Sequence, residues 1–154
     1  MNANLYIVRH GKIITDERNR SEYLHLNAEG IAFGKYLDHF FKDIYFDHIF
    51  YQSTNIKSSD PYNICRNTIH GMKGIKSEFD KTQVNKVFRE FNTEGSAVRN
   101  VMICFRAEGY NVISNIITPS SEEEFTKDYH RVFHYQFKEN NYRFVARFSG
   151  EAVL

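Results

Sequence analysis

Tryptophan is absent from the chain, cysteine occurs only twice, and neither sign of charge prevails. A formal net charge of +1 supplies no general attraction to nucleic acid or to an anionic membrane. Any anion site must therefore be a local cluster of donors. Cys65 and Cys104 show no spacing typical of a metal site and sit among apolar residues, which predicts two buried thiols in a reducing compartment. No stretch approaches the roughly 18 apolar residues of a membrane helix. The first apolar run is interrupted early by Arg9 and His10, so no leader segment is read there and a cytoplasmic protein is expected. Repeats, low-complexity tracts and linkers are also lacking, and residues 1–154 read as a single domain able to bury a core.

The hydrophobic fraction of 42% and charged fraction of 25% are those of an ordinary globular protein. Aromatics are plentiful, with 14 Phe and 10 Tyr, and predict large side chains in the core. Residues 5–8, LYIV, form a short continuous apolar run of the kind buried on both faces of a parallel sheet. A polar stretch to Leu26 reads as a loop. Asn27 then caps a helix in which Phe33, Leu37, Phe40, Phe41 and Ile44 share one face.

Further strands are predicted at 48–52 and 100–105, and a third at 84–91, where a short helix is the alternative. Helices are predicted over NIKSSDPYNICRNTIHGM (55–72), with Pro61 at its start or at a kink, over YNVISNIIT (110–118) and from SSEEEF (120–125). The final run, 132–148, alternates about a polar KENN turn and reads as a β-hairpin. Strands alternating with helices predict a three-layer α/β/α sandwich with a mainly parallel central sheet.

Open α/β sheets bind ligands beyond the carboxyl ends of their strands. Arg9, His10 and Gly11 stand at that end of the first strand. A guanidinium presents a fork of donors matched to phosphate or carboxylate. A histidine beside it serves as nucleophile, acid or anion donor. The glycine lets the backbone turn tightly against a ligand. As a bare tripeptide, Arg-His-Gly reads first as an ordinary surface turn after a strand.

Taken in chain order, LYIVRHGK, LHLNAEGIAFGKYLDHFF, FDHIFYQSTNIKSSDPYNI, FREFNTEG and YRFVARFSGEAVL resemble successive blocks of the histidine phosphatase (phosphoglycerate mutase-like) superfamily. Leu26, Asn27 and Gly30 stand in its helix-start pattern, Asp47, Tyr51 and Ser53 in its second-strand pattern, and Val153 where its closing histidine would be. The resemblance implies a phosphoglycerate mutase-like fold and phosphomonoester hydrolysis through a phosphohistidine on His10. It implies that Arg9 and Gly11 bind the phosphoryl group, and that Glu90 protonates the leaving group and then activates water, with Glu94 the neighbouring alternative. The implied partner is a phosphorylated small molecule or a phosphoprotein. Neither nucleic acid nor membrane is expected as a partner, and no cofactor and no metal is indicated.

Two pocket positions depart from the family. Its second arginine aligns with Lys57, counted from Tyr51, which keeps the charge and loses the bidentate fork. Its second histidine has no counterpart, because residues 100–115 contain none. Counting from the strand puts Arg106 there, whereas counting back from NVISNII, with Gly109 as the glycine, puts Glu108 there. Arg106 would donate to phosphate; Glu108 would repel it. His25, in the loop after the first strand, is a further candidate, while His39, His48, His70, His130 and His134 do not match the missing position. Only SAVRN (96–100) separates TEG from the strand at 101, where the family usually carries a helical segment, which implies an open pocket or one covered by a partner.

Three readings result. The first is a small phosphatase acting through His10, with Lys57 and Arg106 as substitute anion donors. The second is a catalytically impaired pseudophosphatase that binds a phosphorylated ligand or protein. The third is an interaction module using the aromatic hairpin. That hairpin also fits stacking on single-stranded nucleic acid, against which the near-neutral charge weighs.

Overall fold

Strand β1 (Ala3–Arg9) buries Leu5 and Ile7 in one apolar cluster and Tyr6 and Val8 in another, so it is covered on both faces. It is a central strand of the computed structural model, which describes residues 3–13, 26–52, 64–91, 97–117, 124–138 and 141–149. After it come α1 (Ala28–Phe40), β2 (Phe46–Tyr51), α2 (Ile64–Thr68), β3 (Gly74–Glu78) and α3 (Lys81–Phe91). The chain continues through β4 (Asn100–Phe105), one 3-10 turn at Ala107–Gly109, α4 (Tyr110–Ile117), β5 (Arg131–Lys138) and β6 (Asn141–Ser149). One six-stranded sheet has the order β3-β2-β4-β1-β5-β6.

Strands β1 to β4 run parallel, and β5 and β6 are antiparallel additions beside β1. Leu5, Ile7, Val101, Ile103 and Phe133 pack with Val84, Val87 and Phe88 of α3 and Ile113 and Ile117 of α4. On the opposite face, Tyr6, Val8, Met102 and Val132 pack with Phe33, Tyr36 and Leu37 of α1 and Cys65 of α2. Helices therefore cover both faces, giving the three-layer α/β/α sandwich. No helix among the described residues is long and apolar enough to cross a membrane.

Asn27 caps α1 as its sequence context predicts, its Oδ1 accepting from Gly30 N at 2.9 Å. The apolar face of that helix differs from the prediction at one residue. Phe40 ends the helix and is 48% exposed, whereas Phe41, the C-cap, turns inward against Tyr6 and Phe46 at centroid distances of 4.8 and 5.4 Å. The two cysteines are free and buried. Burial, reinforced by the neighbouring Cys65 thiol, pushes the Cys104 thiol well above its ordinary value, so it remains protonated.

The predicted strand at 84–91 is a helix. Val84, Val87 and Phe88 fall at i, i+3 and i+4, and all are buried against the sheet, so the 3.6-residue period prevails over the apparent alternation. The true third strand, Gly74–Glu78, carries little apolar signal because it lies at the sheet edge with Ile75 59% exposed. The loop at 14–25, the segment around Pro61 and the start of the helix expected from residue 120 lie outside the described residues. The closing hairpin forms, with β5 and β6 paired from Arg131↔Ser149 to Lys138↔Asn141.

Two predictions follow from this packing. Leu37→Ala should lower unfolding free energy by about 2–5 kcal/mol, while Phe40→Ala should cost under about 1 kcal/mol, as measured by urea denaturation. His134 stacks on Tyr6 at 4.3 Å and donates from Nε2 to Asn4 Oδ1 at 2.8 Å, and burial pushes its pKa down. The folded state then binds that proton less readily than the unfolded chain. This contribution to stability is present above the ordinary histidine value of about 6.5 and is lost as pH falls through the folded value. His134→Gln should therefore flatten the decline of the urea midpoint between about pH 7.5 and about pH 5.5.

Candidate functional site

The parallel strands end together, so their carboxyl edge gathers residues distant in sequence. Arg9 pairs with Phe105 in the β1–β4 register, and His10 N donates to Phe105 O at 3.1 Å. His10 and Arg106 are thus the next residues on neighbouring strands. Gln52, just past β2, fixes the backbone at Arg106: its Oε1 accepts from Arg106 N at 2.7 Å. Between the two sequence alternatives, Arg106 is the residue level with His10, and Glu108 belongs to the following 3-10 turn.

The turn after β1 is locked from three sides. Gly11 N donates to Thr68 Oγ1 at 3.0 Å, and that hydroxyl donates to Ile64 O at 2.7 Å. Asn27 N donates to Lys12 O at 2.8 Å. Lys12 N donates to Nε2 of His130 at 3.2 Å, and the Lys12 ammonium pairs with Glu29 at 3.1 Å. A Cβ on Gly11 would lie 2.7 Å from Gly30 Cα, so glycine is required where the turn crosses the first turn of α1.

His10 is 4% exposed, and its Nδ1 lies 2.7 Å from Gly11 O. A carbonyl can only accept, so Nδ1 carries the hydrogen. The neutral ring then has its lone pair on Nε2, the form a nucleophile needs. Arg9 is partly buried, with Nη1 donating to Lys127 O at 2.7 Å and Cζ 3.9 Å from the centroid of the Tyr129 ring. Its Nε is buried and finds no hydrogen-bond partner among the described residues.

The sequence-predicted residues divide accordingly. Arg9, His10, Gly11 and the backbone of Arg106 come together. Glu90 does not join them. The strand on which it was read is α3, which leaves β3 at the carboxyl edge and spans about 16 Å back toward the start of β4. Glu90 therefore stands in the last turn, near the opposite edge from His10. Glu78 ends β3 at the correct edge, but three strand spacings of about 4.8 Å separate β3 from β1. Lys57, Glu94 and His25 lie outside the described residues.

Sequence reading missed Tyr129 and His130, which approach from the start of β5. His130 is 3% exposed, adopts φ 60° and rests on Phe33 at 4.8 Å while accepting from Lys12 N. The β1–β5 register, Val8↔Val132, shows why a residue 120 positions later meets this turn. The available signal was the hairpin itself, since an antiparallel neighbour to β1 would begin where β1 ends. Among the described residues, no group of three or more His, Cys, Asp or Glu is placed to hold a metal ion.

No family model matches the sequence, and no curated protein matches it. Solved structures match along nearly the whole chain. The protein histidine phosphatase SixA complexed with tungstate has a TM-score of 0.65 at 13% identity, covering 96% of this chain and 97% of that one. Phosphoserine phosphatase of Entamoeba histolytica, in complex with 3-phosphoglyceric acid, gives 0.61 at 12% identity over 99% and 100% of the two chains. Phosphoglycerate mutase of Bacillus anthracis gives 0.58 at 14% identity over 94% and 92%. At such identities the likeness is one of fold.

The locked turn yields a direct prediction. Thr68→Val leaves the buried Gly11 N–H without its acceptor and should cost about 1–3 kcal/mol, with Thr68→Ser recovering most of it. Amide exchange at Gly11 should accelerate in Thr68→Val and remain slow in Thr68→Ser.

Proposed function

We propose that this chain, which has the histidine phosphatase (phosphoglycerate mutase-like) fold, hydrolyses phosphomonoesters through a phosphohistidine on His10. The observation that carries the reading is the placement of His10: a buried imidazole at the carboxyl end of β1, next to Arg9, with Nδ1 fixed 2.7 Å from Gly11 O so that Nε2 is the nitrogen turned to the nucleophile's role. In the first step Nε2 bonds to phosphorus as the bond to the leaving oxygen breaks. Water then cleaves the phosphorus–nitrogen bond, releasing phosphate and restoring the imidazole. Arg9 neutralises charge on the phosphoryl oxygens throughout. Arg106, level with His10, is the donor proposed in place of the absent second histidine, and Lys57 supplies a further cation. The phosphorylated ligands of the reading agree with a neighbour fold that holds tungstate, a tetrahedral oxyanion, and another that holds 3-phosphoglyceric acid.

The second reading, a pseudophosphatase that binds a phosphorylated ligand without turnover, is favoured by Arg106 occupying the position after β4. Losing one transition-state donor costs about a hundred- to a thousand-fold in rate. An aryl phosphate assay separates the two. Measurable turnover that disappears in His10→Ala and falls at least about a hundred-fold in Arg9→Ala supports the phosphatase. Phosphate binding that is lost in Arg9→Ala, with no turnover in the wild type, supports the pseudophosphatase. Absence of both turnover and phosphate binding rejects both readings.

A further inference from the structure

The segment before β5 bears on Arg9 in a way the family resemblance does not specify. Phe125 is fully buried, edge-on to Phe133 at 5.2 Å and tilted against Phe105 at 5.4 Å. Tyr110, at the start of α4, stacks on Phe125 at 4.9 Å, donates its hydroxyl to Phe125 O at 2.7 Å, and lies 5.2 Å from the Lys127 ammonium. Residues 125–127 are thereby fixed to the core. Two contacts then reach Arg9 from this anchored stretch: the Lys127 carbonyl on Nη1 and the Tyr129 ring on the guanidinium. The same ring meets His10 edge-on at 5.7 Å.

A ring over a guanidinium engages its flat face and leaves the in-plane donors unused. The Lys127 carbonyl takes one of those donors and sets the rotation of the plane. What remains includes the buried Nε–H, for which no described residue supplies an acceptor. We propose that Tyr129 is a positioning residue for phosphate, holding the plane of the Arg9 guanidinium at the end of β1 for the oxyanion at His10. The proposal rests on the phosphatase reading of this site and extends it. Lys57 lacks a fork, so a bidentate grip must come from an arginine, and Arg9 is the one whose plane Lys127 and Tyr129 orient.

Inorganic phosphate binding by calorimetry and steady-state hydrolysis of p-nitrophenyl phosphate test the proposal in wild type, Tyr129→Phe, Tyr129→Leu and Tyr129→Gln. Tyr129→Leu and Tyr129→Gln should each weaken phosphate binding and raise KM by about three- to thirty-fold, with a smaller change in kcat. Tyr129→Phe, which keeps the ring, should stay within about two-fold. In an Arg9→Lys background, the leucine change should add less than about two-fold, because Tyr129 acts through the guanidinium. Either non-aromatic variant serves if the other fails to fold, as judged by its melting temperature. Unchanged phosphate affinity in both overturns the proposal. Tighter binding also overturns it, because the ring would then be a cap that phosphate must displace. In either case wild-type turnover lost in His10→Ala leaves the phosphatase reading standing. A wild type that neither binds phosphate nor turns over the ester removes that reading and this proposal together.

Discussion

At the end of β1 the chain must turn between the sheet and the first turn of α1, and the space available is the width of two backbones. Gly11 and Gly30 meet there with no side chain between them. Everything chemical nearby is referred to that contact. The Gly11 carbonyl selects the tautomer of His10, and the Gly11 amide is held by Thr68 from α2. The next residue, Lys12, is held by Asn27 from α1 and by His130 from the approach to β5. Three separate elements thus hold two residues of backbone, and the imidazole inherits their rigidity. In the proposed phosphatase, a nucleophile held this way needs little reorganisation when phosphate arrives, which is where electrostatic catalysis gains most.

The layers of the fold were legible because burial leaves a periodic trace. LYIV and VMICF are apolar without interruption, and each is buried on both faces of the sheet. Asn27 declared the start of α1 through capping chemistry that operates within four residues. Legibility failed where burial was partial or the period was short. Gly74–Glu78 is an edge strand whose residues are mostly half-covered, so it left no alternation to read. Among the described side chains of α3, three apolar residues are buried, a number that fits either period until the sheet supplies its second wall. Phe40 and Phe41 are chemically the same residue, and only the end of the helix decides which of them turns inward.

The site was legible to the extent that it is local. Arg9, His10 and Gly11 are consecutive, and a strand end followed by a glycine announces them. Tyr129 and His130 are brought in by the pairing of β5 with β1, a contact between residues well over a hundred positions apart that no spacing rule encodes. Glu90 shows the converse hazard: a carboxylate assigned by motif order falls in the last turn of a helix, α3.

In the proposed reaction Arg9 and His10 serve different parts, the arginine stabilising charge and the histidine carrying the phosphoryl group. Only the covalent step distinguishes a phosphatase from a protein that merely binds phosphate. The most direct measurement is therefore the intermediate itself. The wild-type chain would be mixed with p-nitrophenyl phosphate, quenched into alkaline denaturant where phosphohistidine survives, and mapped by peptide mass spectrometry. A phosphoryl group on His10 that forms within the first turnover and decays as substrate is exhausted is the predicted result. Turnover with no phosphoryl group on His10, or with the label on another residue, would contradict it.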